Sequence, residues 1–555
     1  MGLKMERSLR PTFFALLAVA GLSAVWARYV LGPSPLDIHN IHWIWGDLAQ
    51  VYVAWAQYLN DPHAGWLSTD WLSYPLPMSI SLFDPMPLFL LLAKPIAWLL
   101  PGNLQFIGYY FLFCLVLQGV FGYLATVQTL RLLGEEHSNL HVYIGVIGGL
   151  LIASVPFTFF RFQFHTALSS QWVLVLSIWV VLRTLYAERK QWMTMNCATL
   201  LLATGINPYL ALLVAASSAI TIVVQVRRLG WFEVCVRCLA LLLTAAAGLY
   251  VFGFMVATGA VSEGYGKFSM NALGPIDSNG LARLSKVDIA DPTGGQSLEG
   301  FDYLGLGVLI LCIFPLTLYI SPHPRKSRFP FIAALLVIVV CYCLALSTTP
   351  TFGSHRFHIH FPAWIEHVLT RFRASGRLFW MSGFWLILLG IAACVLRLSA
   401  PRAAPILTLL LLVQLIDIQP IAFNTKMMIA HGSTHELLGV PAGKYDFISV
   451  YPAWQCDPRT TPLGYRNYEA VGFFALRHKI PTNNFYAARN LQEQLAYHCD
   501  FSSLAKRITP TGIYLLSKEI YQRVQSRMAL DFDCNDTTNG DGSWLCVPRR
   551  RRSLL

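Results

Sequence analysis

Long apolar runs separated by short polar turns dominate the first 420 residues. Runs approaching the ~20 residues that cross a bilayer as a helix fall at roughly 11–31, 104–130, 141–159, 168–186, 192–206, 208–226, 239–258, 302–320, 329–347, 376–396 and 403–420. They predict an α-helical polytopic membrane domain of about 11 spans over residues 1–420. No small-residue cleavage site clearly follows the run Pro11 to Leu31, so it reads as a span and not as a signal peptide. The stretch Pro85 to Leu100 is apolar but short, and Pro95 interrupts it. It predicts a re-entrant or interfacial helix that does not cross. Before it lies a long loop, residues 32–84, whose Val51 to Leu59 reads as a surface helix.

Residues 421–555 differ in kind. Charge rises and apolar runs shorten. Tyr445 to Tyr451, Gly512 to Leu516 and Ser543 to Val547 read as strands, Leu491 to Arg507 and Lys518 to Met528 as helices. The expectation is a small C-terminal α/β domain outside the membrane.

Composition agrees with lipid as the main solvent. Of the 555 residues 55% are hydrophobic and 13% charged, where a soluble domain carries about 25% charged. The net charge of +12 raises nucleic acid as a partner only until the charges are placed. Lys4, Arg7, Arg10, Arg131, Arg183, Arg189, Lys190, Arg227, Arg228, Arg237, Arg325, Lys326, Arg328, Arg397 and Arg402 all fall on one side of the membrane if 85–100 does not cross, while 32–84 holds no Lys or Arg. That is the positive-inside pattern of a plasma (inner) membrane protein and not a nucleic-acid footprint. It sets the N-terminus in the cytoplasm and the C-terminal domain outside, periplasmic or extracellular, with an odd number of spans. Arg549 to Arg552 is the discordant feature, although a folded domain translocates largely regardless of charge. Four cysteines, Cys456, Cys499, Cys534 and Cys546, lie in this outer domain and allow three disulfide pairings. Cys235 and Cys238 have zinc spacing but stand alone beside a span.

Candidate chemistry gathers on the outer side. Asp47, with Gln50 three residues on, is a capping-box pattern and equally a carboxylate placed as a general base at the membrane surface. Trp43, Trp45, Trp55, Trp66 and Trp71 crowd the same loop, as an interfacial belt or as sugar platforms. Asp84 before Pro85 is a helix cap or a second functional carboxylate. Arg161 either snorkels to headgroups or contacts phosphate, with His165 as donor or ligand. Arg371, Arg373 and Arg377 sit at the mouth of a span, where three guanidinium groups need partners. Phosphate oxygens pair with them bidentately, whether from ordinary headgroups or from a bound lipid phosphate. In Glu299-Gly300-Phe301-Asp302-Tyr303-Leu304-Gly305-Leu306-Gly307 the glycines allow close packing, while Glu299 and Asp302 are candidates to face an outer cavity. Walker loop, dinucleotide fingerprint and internal repeat are absent from the sequence.

In their order these pieces resemble the GT-C superfamily of membrane glycosyltransferases, in which an acidic residue follows the first span in a long outer loop. Gly46-Asp47-Leu48-Ala49-Gln50 occupies that place. The chain is still more similar to a bacterial family of uncharacterised multi-span proteins related to those that glycosylate cell-surface polymers. The matching pieces are Asp47 to Gln50, Ser79 to Pro85, His165 with Gln171-Trp172, Glu299 to Gly307 and Arg371 to Trp380, and in the tail Asn484 to Arg489. The resemblance implies sugar transfer from a polyprenyl-phosphate donor to an extracytoplasmic acceptor, a cell-surface glycan or lipid. Asp47 and Asp84 would be its catalytic carboxylates, with Gln50, Arg161, His165, Glu299, Asp302 and the arginines at 371, 373 and 377 holding substrate. No paired acidic motif in the first loop demands a metal, but some members of the superfamily use one, so a divalent ion stays open and no other cofactor is implied. The rival classes are a lipid-linked glycan flippase or transporter, an O-antigen ligase or polymerase, and a non-catalytic scaffold. A transporter expects mid-span charge and internal symmetry, and the sequence has little of the first and none of the second.

Overall fold

The computed structural model describes residues 2–84, 86–99, 104–134, 139–184, 189–255, 265–318, 329–432, 437, 439–537 and 542–549. The chain forms two compact units. The helical unit takes in Met1–Asp37, Phe106–Leu249 and Ser262–Ala430; the second takes in Ile38–Gln105, Tyr250–Val261 and His431–Leu555.

Among the described residues, six helices are long and apolar enough to cross a membrane: Thr12–Leu31, Ile107–Leu132, Ala167–Thr184, Trp231–Val251, Ser375–Leu398 and Ala400–Ala430. The pair Asn139–Ala153 and Pro156–Gln163, bent by 46°, makes up to seven. Pro208–Val224, Leu306–Leu316 and Phe331–Ala345 are apolar but shorter, and Arg189–Ile206 is more polar. Each predicted run therefore has a helix, while length and apolarity alone support fewer than 11 spans. The run predicted at 239–258 begins earlier, at Trp231. Glu233 and Arg237 pair at 2.8 Å within one turn, and the Arg237 guanidinium lies 4.4 Å over the Trp192 ring. Two charges that cancel shift the apolar segment toward the N-terminus. Inside the bundle, polar side chains bond across helices: the Gln118 amide donates to Thr158 Oγ1 at 2.9 Å, which donates to Gln171 Oε1 at 2.7 Å.

Residues 265–305 form a long loop whose only regular turn is Gly274–Ile276 among the described residues. Buried Asp417, on the helix Ala400–Ala430, pins it. Its carboxylate accepts from the Leu284 and Ser285 amides at 3.0 and 2.9 Å, the Tyr303 hydroxyl at 2.5 Å and the Leu306 amide at 3.0 Å. Gly305, at φ +87, and Gly307 bring the loop's end onto the same helix. A Cβ on them would fall 2.1 Å from Gln414 Nε2 and 2.2 Å from Leu410 O.

The second unit is built on a four-stranded sheet in the order Ile448–Tyr451, Ile513–Leu516, Trp544–Pro548, Phe532–Asp536, the first pair parallel and the others antiparallel. The two parallel strands are buried at every residue, so both faces are covered. Tyr514 and Leu516 pack with Ile520, Val524 and Met528 of the helix Lys518–Asp531. Ile513 and Leu515 pack on the other face with Val471, Phe474 and Ala475 of the helix Asn467–His478. The helix predicted over Leu491 to Arg507 is two short ones, Gln492–His498 and Leu504–Arg507, broken around Cys499. Disulfides join Cys456 to Cys499 and Cys534 to Cys546.

The predicted surface helix, Asp47–Asn60, is buried at ten positions from Leu48 to Tyr58 and belongs to this second unit. Its Tyr52 stacks on Phe473 with centroids 5.7 Å apart, and its Gln57 amide donates to Ile480 O at 3.1 Å. The helix read as lying on the surface is covered by protein. Pro87–Leu99, only 13 residues, rises about 20 Å at 1.5 Å per residue, short of the ~30 Å hydrocarbon core. Its Lys94 ammonium donates to the carbonyls of Tyr58 and Asp61 at 2.6 and 2.7 Å, closing the end of Asp47–Asn60.

Candidate functional site

The predicted residues gather into two carboxylate clusters, one in each unit. In the helical unit Glu299 is the centre. Its Oε2 accepts from Arg161 at 3.0 Å and from Arg377 at 2.9 Å, and its Oε1 lies 2.8 Å from His165 Nε2. Burial works against ionised Glu299, but Arg377, His165 and Arg161 outweigh it and hold the carboxyl well below its ordinary range. Arg161 is fully buried, so it does not snorkel. Its second guanidinium nitrogen donates to the carbonyls of Leu298 and Glu299 at 3.1 and 3.2 Å, fixing the loop that carries Glu299.

Local sequence explains how Arg377 reaches this place. Asn207 caps the helix Pro208–Val224, accepting from the Tyr209 amide at 2.9 Å, with Pro208 at its first position. The Tyr209 hydroxyl accepts from the Ala374 amide at 2.9 Å, and its ring lies 4.9 Å beneath the Arg377 guanidinium. The turn Ser375–Leu378 is buried at Ser375, Gly376 and Leu378. The three arginines are thereby parted. Arg377 turns inward to Glu299, whereas Arg371 and Arg373 are exposed. Arg373 lies 4.8 Å over the Phe268 ring and exposed Lys267 lies 5.5 Å over the same ring, so two cations share one aromatic ring. Nothing local in the sequence marks Tyr209, Lys267 and Phe268 as part of this arrangement.

Asp302, in the loop before Leu306–Leu311, is 1% exposed, with the Trp380 side chain and the Arg161 charge beside its carboxyl. Burial pushes its carboxyl well above the ordinary range, with Arg161 and Trp380 opposing.

The second cluster surrounds Asp47. The capping-box reading does not hold: the cap of Asp47–Asn60 is Gly46, at φ +59 and ψ −134, and Asp47 is the first helical residue. A carboxylate there meets the positive end of the helix dipole. The Gly46 amide donates to Glu469 Oε1 at 2.9 Å. Glu469 is gripped by Arg466 through two bonds of 2.7 and 2.6 Å, and the Arg466 guanidinium covers Trp45 at 5.2 Å. The Tyr468 hydroxyl is pushed up first by burial, then by the charges of Glu469 and Asp47. Tyr468, Trp454 and Tyr486 pack ring on ring with centroids 4.4 to 5.5 Å apart. Gln50 is buried in the first turn of the helix. Asp84 is not the cap of the following helix either. It ends the turn Ile80–Phe83 in left-handed conformation at φ 57, and Met86 precedes Pro87–Ala93.

Among the described residues no group of three or more His, Cys, Asp or Glu side chains is arranged to hold a metal ion.

The chain is similar in structure to arabinofuranosyltransferase AftD from Mycobacteria. A mutant form matches with TM-score 0.51 at 12% identity, over 91% of this chain and 36% of that one. Another AftD structure matches with TM-score 0.48 at 12% identity, over 96% of this chain and 40% of that one. The Archaeoglobus fulgidus oligosaccharyltransferase in its apo form matches with TM-score 0.44 at 11% identity, over 97% and 75%. The chain thus spans about two fifths of AftD. At these identities the likeness to AftD is one of fold alone. No curated protein sequence matches. The profile of the family described as Domain of unknown function (DUF6311) matches residues 20–419 and that of the DUF6311 C-terminal domain matches residues 439–548, and the chain belongs to this family.

Proposed function

We propose that this protein is a membrane glycosyltransferase that moves a sugar from a polyprenyl-phosphate carrier to a hydroxyl of an acceptor outside the cytoplasm. The observation that carries the reading is the AftD-like fold over 91% of the chain. The position of Asp47 adds to it, at a helix start beside tyrosine and arginine side chains. In this reading the Asp47 carboxylate takes the proton of the acceptor hydroxyl. The acceptor oxygen bonds to the anomeric carbon through an oxocarbenium-like state. The bond from that carbon to the carrier phosphate breaks, and the phosphate keeps the electron pair. In the helical unit, exposed Arg371, Arg373 and Lys267 are cations of the kind that pairs with a carrier phosphate. Glu299 takes no part in the bond changes; it holds Arg161, His165 and Arg377 in place.

The same reading sets the N-terminus in the cytoplasm and the disulfide-bonded C-terminal domain outside a bacterial inner membrane. Reporter fusions after Lys190 and Leu555 should report inside and outside. The decisive test is complementation of a strain lacking the protein. Asp47→Asn should fail to restore a surface glycan that the unaltered chain restores, at equal abundance and equal thermal stability. Restoration by Asp47→Asn would sink the assignment.

A further inference from the structure

In the second unit, aromatic side chains from the C-terminal segment sit beside Asp47 in a way that packing alone does not require. Trp454 and Tyr468 are buried and form a base. Around them, partly open to solvent, stand Tyr465, Tyr486, Trp45 and Arg466. Tyr465 is 61% exposed although its ring lies edge-on to Trp454 at 5.8 Å. A purely structural tyrosine here would be drawn under cover. The polar groups of the cluster are also ordered. Glu469 neutralises Arg466 and holds the Gly46 amide, which fixes where Asp47 begins its helix. Trp454 Nε1 donates to Tyr465 O at 2.6 Å, so the backbone carrying Tyr465 is fixed as well.

The chemical class that fits such a surface is a neutral saccharide. A sugar ring has an apolar face of C–H groups and a rim of hydroxyls. Flat aromatic rings cover the face, while tyrosine hydroxyls and carboxylates bond to the rim. An anionic ligand is disfavoured, because Arg466 is already paired bidentately and two carboxylates stand nearby. We infer that Tyr465, Tyr486 and Trp45, on their Trp454–Tyr468 base, form a saccharide-binding subsite that presents a sugar hydroxyl to Asp47. This deepens the proposed function and rests on it for the role of Asp47, but not for the binding of sugar.

The test is binding without turnover. Full-length protein in nanodiscs is titrated with neutral oligosaccharides of two to six residues, pyranose and furanose, and followed by saturation-transfer NMR. Unaltered protein and Asp47→Asn should bind the same oligosaccharides. Tyr465→Ala and Tyr486→Ala should weaken binding about tenfold, the scale of one lost aromatic contact, while Tyr486→Phe keeps it. Tyr465 is exposed enough that its removal should leave the melting temperature unchanged, which separates binding from folding. Absence of binding to every oligosaccharide overturns the inference, as does unaltered binding by folded Tyr465→Ala. Retained binding with a fully active Asp47→Asn overturns the catalytic reading and leaves the subsite standing.

Discussion

Glu299 and Glu469 are both carboxylates gripped by arginine, yet they organise their surroundings in opposite ways. Glu299 draws cations inward: Arg161, Arg377 and His165 all end on it, so the hydrogen-bonding capacity of two guanidinium groups is turned toward a carboxylate of the fold before any ligand arrives. Glu469 takes Arg466 from the partly exposed side and also holds the Gly46 amide. The first arrangement makes a rigid knot between chain segments 138 residues apart. The second has another carboxylate, Asp47, and a set of rings beside it, the surface proposed above to take sugar. A cluster of charges in a sequence is therefore not a measure of the charge offered to a ligand. What decides is whether the partner is already in the fold.

The comparison breaks if Asp47, in the Glu469 cluster, and Glu299 fail to separate rate from stability. Asp47→Asn should cost about 10²- to 10⁴-fold in transfer, the usual worth of a general base, with an unchanged melting temperature. Glu299→Ala should do the reverse. It leaves buried Arg161 without its carboxylate, a loss of about 3–5 kcal/mol visible as early thermal unfolding in detergent. Its pH dependence has a definite sign. The folded protein holds Glu299 below the free value of 4.5. Its stabilisation is complete above that value and is lost as pH falls through the lower folded one. Asp302 has the opposite sign, because burial raises it above 3.8. The unfolded chain releases that proton before the folded one does. Stability should fall as pH rises from about 4. Asp302→Asn should remove that slope and gain about 1–3 kcal/mol at neutral pH. A variant no more stable than the parent would mean that a bound water or ion satisfies Asp302.

The sequence made the apolar helices legible because a bilayer demands long apolar runs whatever their neighbours are. It misled wherever protein replaced lipid. Asp47–Asn60 carries the apolar stripe of a surface helix, but Tyr52 meets Phe473 and Val53 meets Gly472 across a helix–helix contact that no local pattern announces. The helix Asn467–His478 went unread because its buried face includes Asn467, Tyr468 and Glu469, which look like solvent residues. The strand Phe532–Asp536 was hidden by its acidic, turn-like composition; cross-strand pairing, with Cys534 opposite Cys546, makes it a strand. The arginine segment was visible as a motif. Its division into inward Arg377 and outward Arg371 and Arg373 depends on Tyr209, Phe268 and a glutamate far away in the chain.

That division yields the finest test of the comparison. Arg377 and Lys267 are both cations of the helical unit, but Arg377 is bonded to Glu299 with its side chain 12% exposed, and Lys267 is exposed over Phe268. Loss of Arg377 should act through the knot, because Glu299 then keeps fewer cations against its burial. Arg377→Gln should lower the melting temperature and change little with salt, since buried pairs are poorly screened. Lys267→Gln and Arg373→Gln should leave the melting temperature alone. They should weaken binding to vesicles doped with polyprenyl phosphate by about tenfold at low ionic strength, the scale of one charge-assisted contact, and by less as salt rises. If Arg377→Gln instead loses vesicle binding with full stability, Glu299 is a gate that releases its arginine to phosphate. The inward cluster would then be the binding site, and the outward pair only a lipid-headgroup contact.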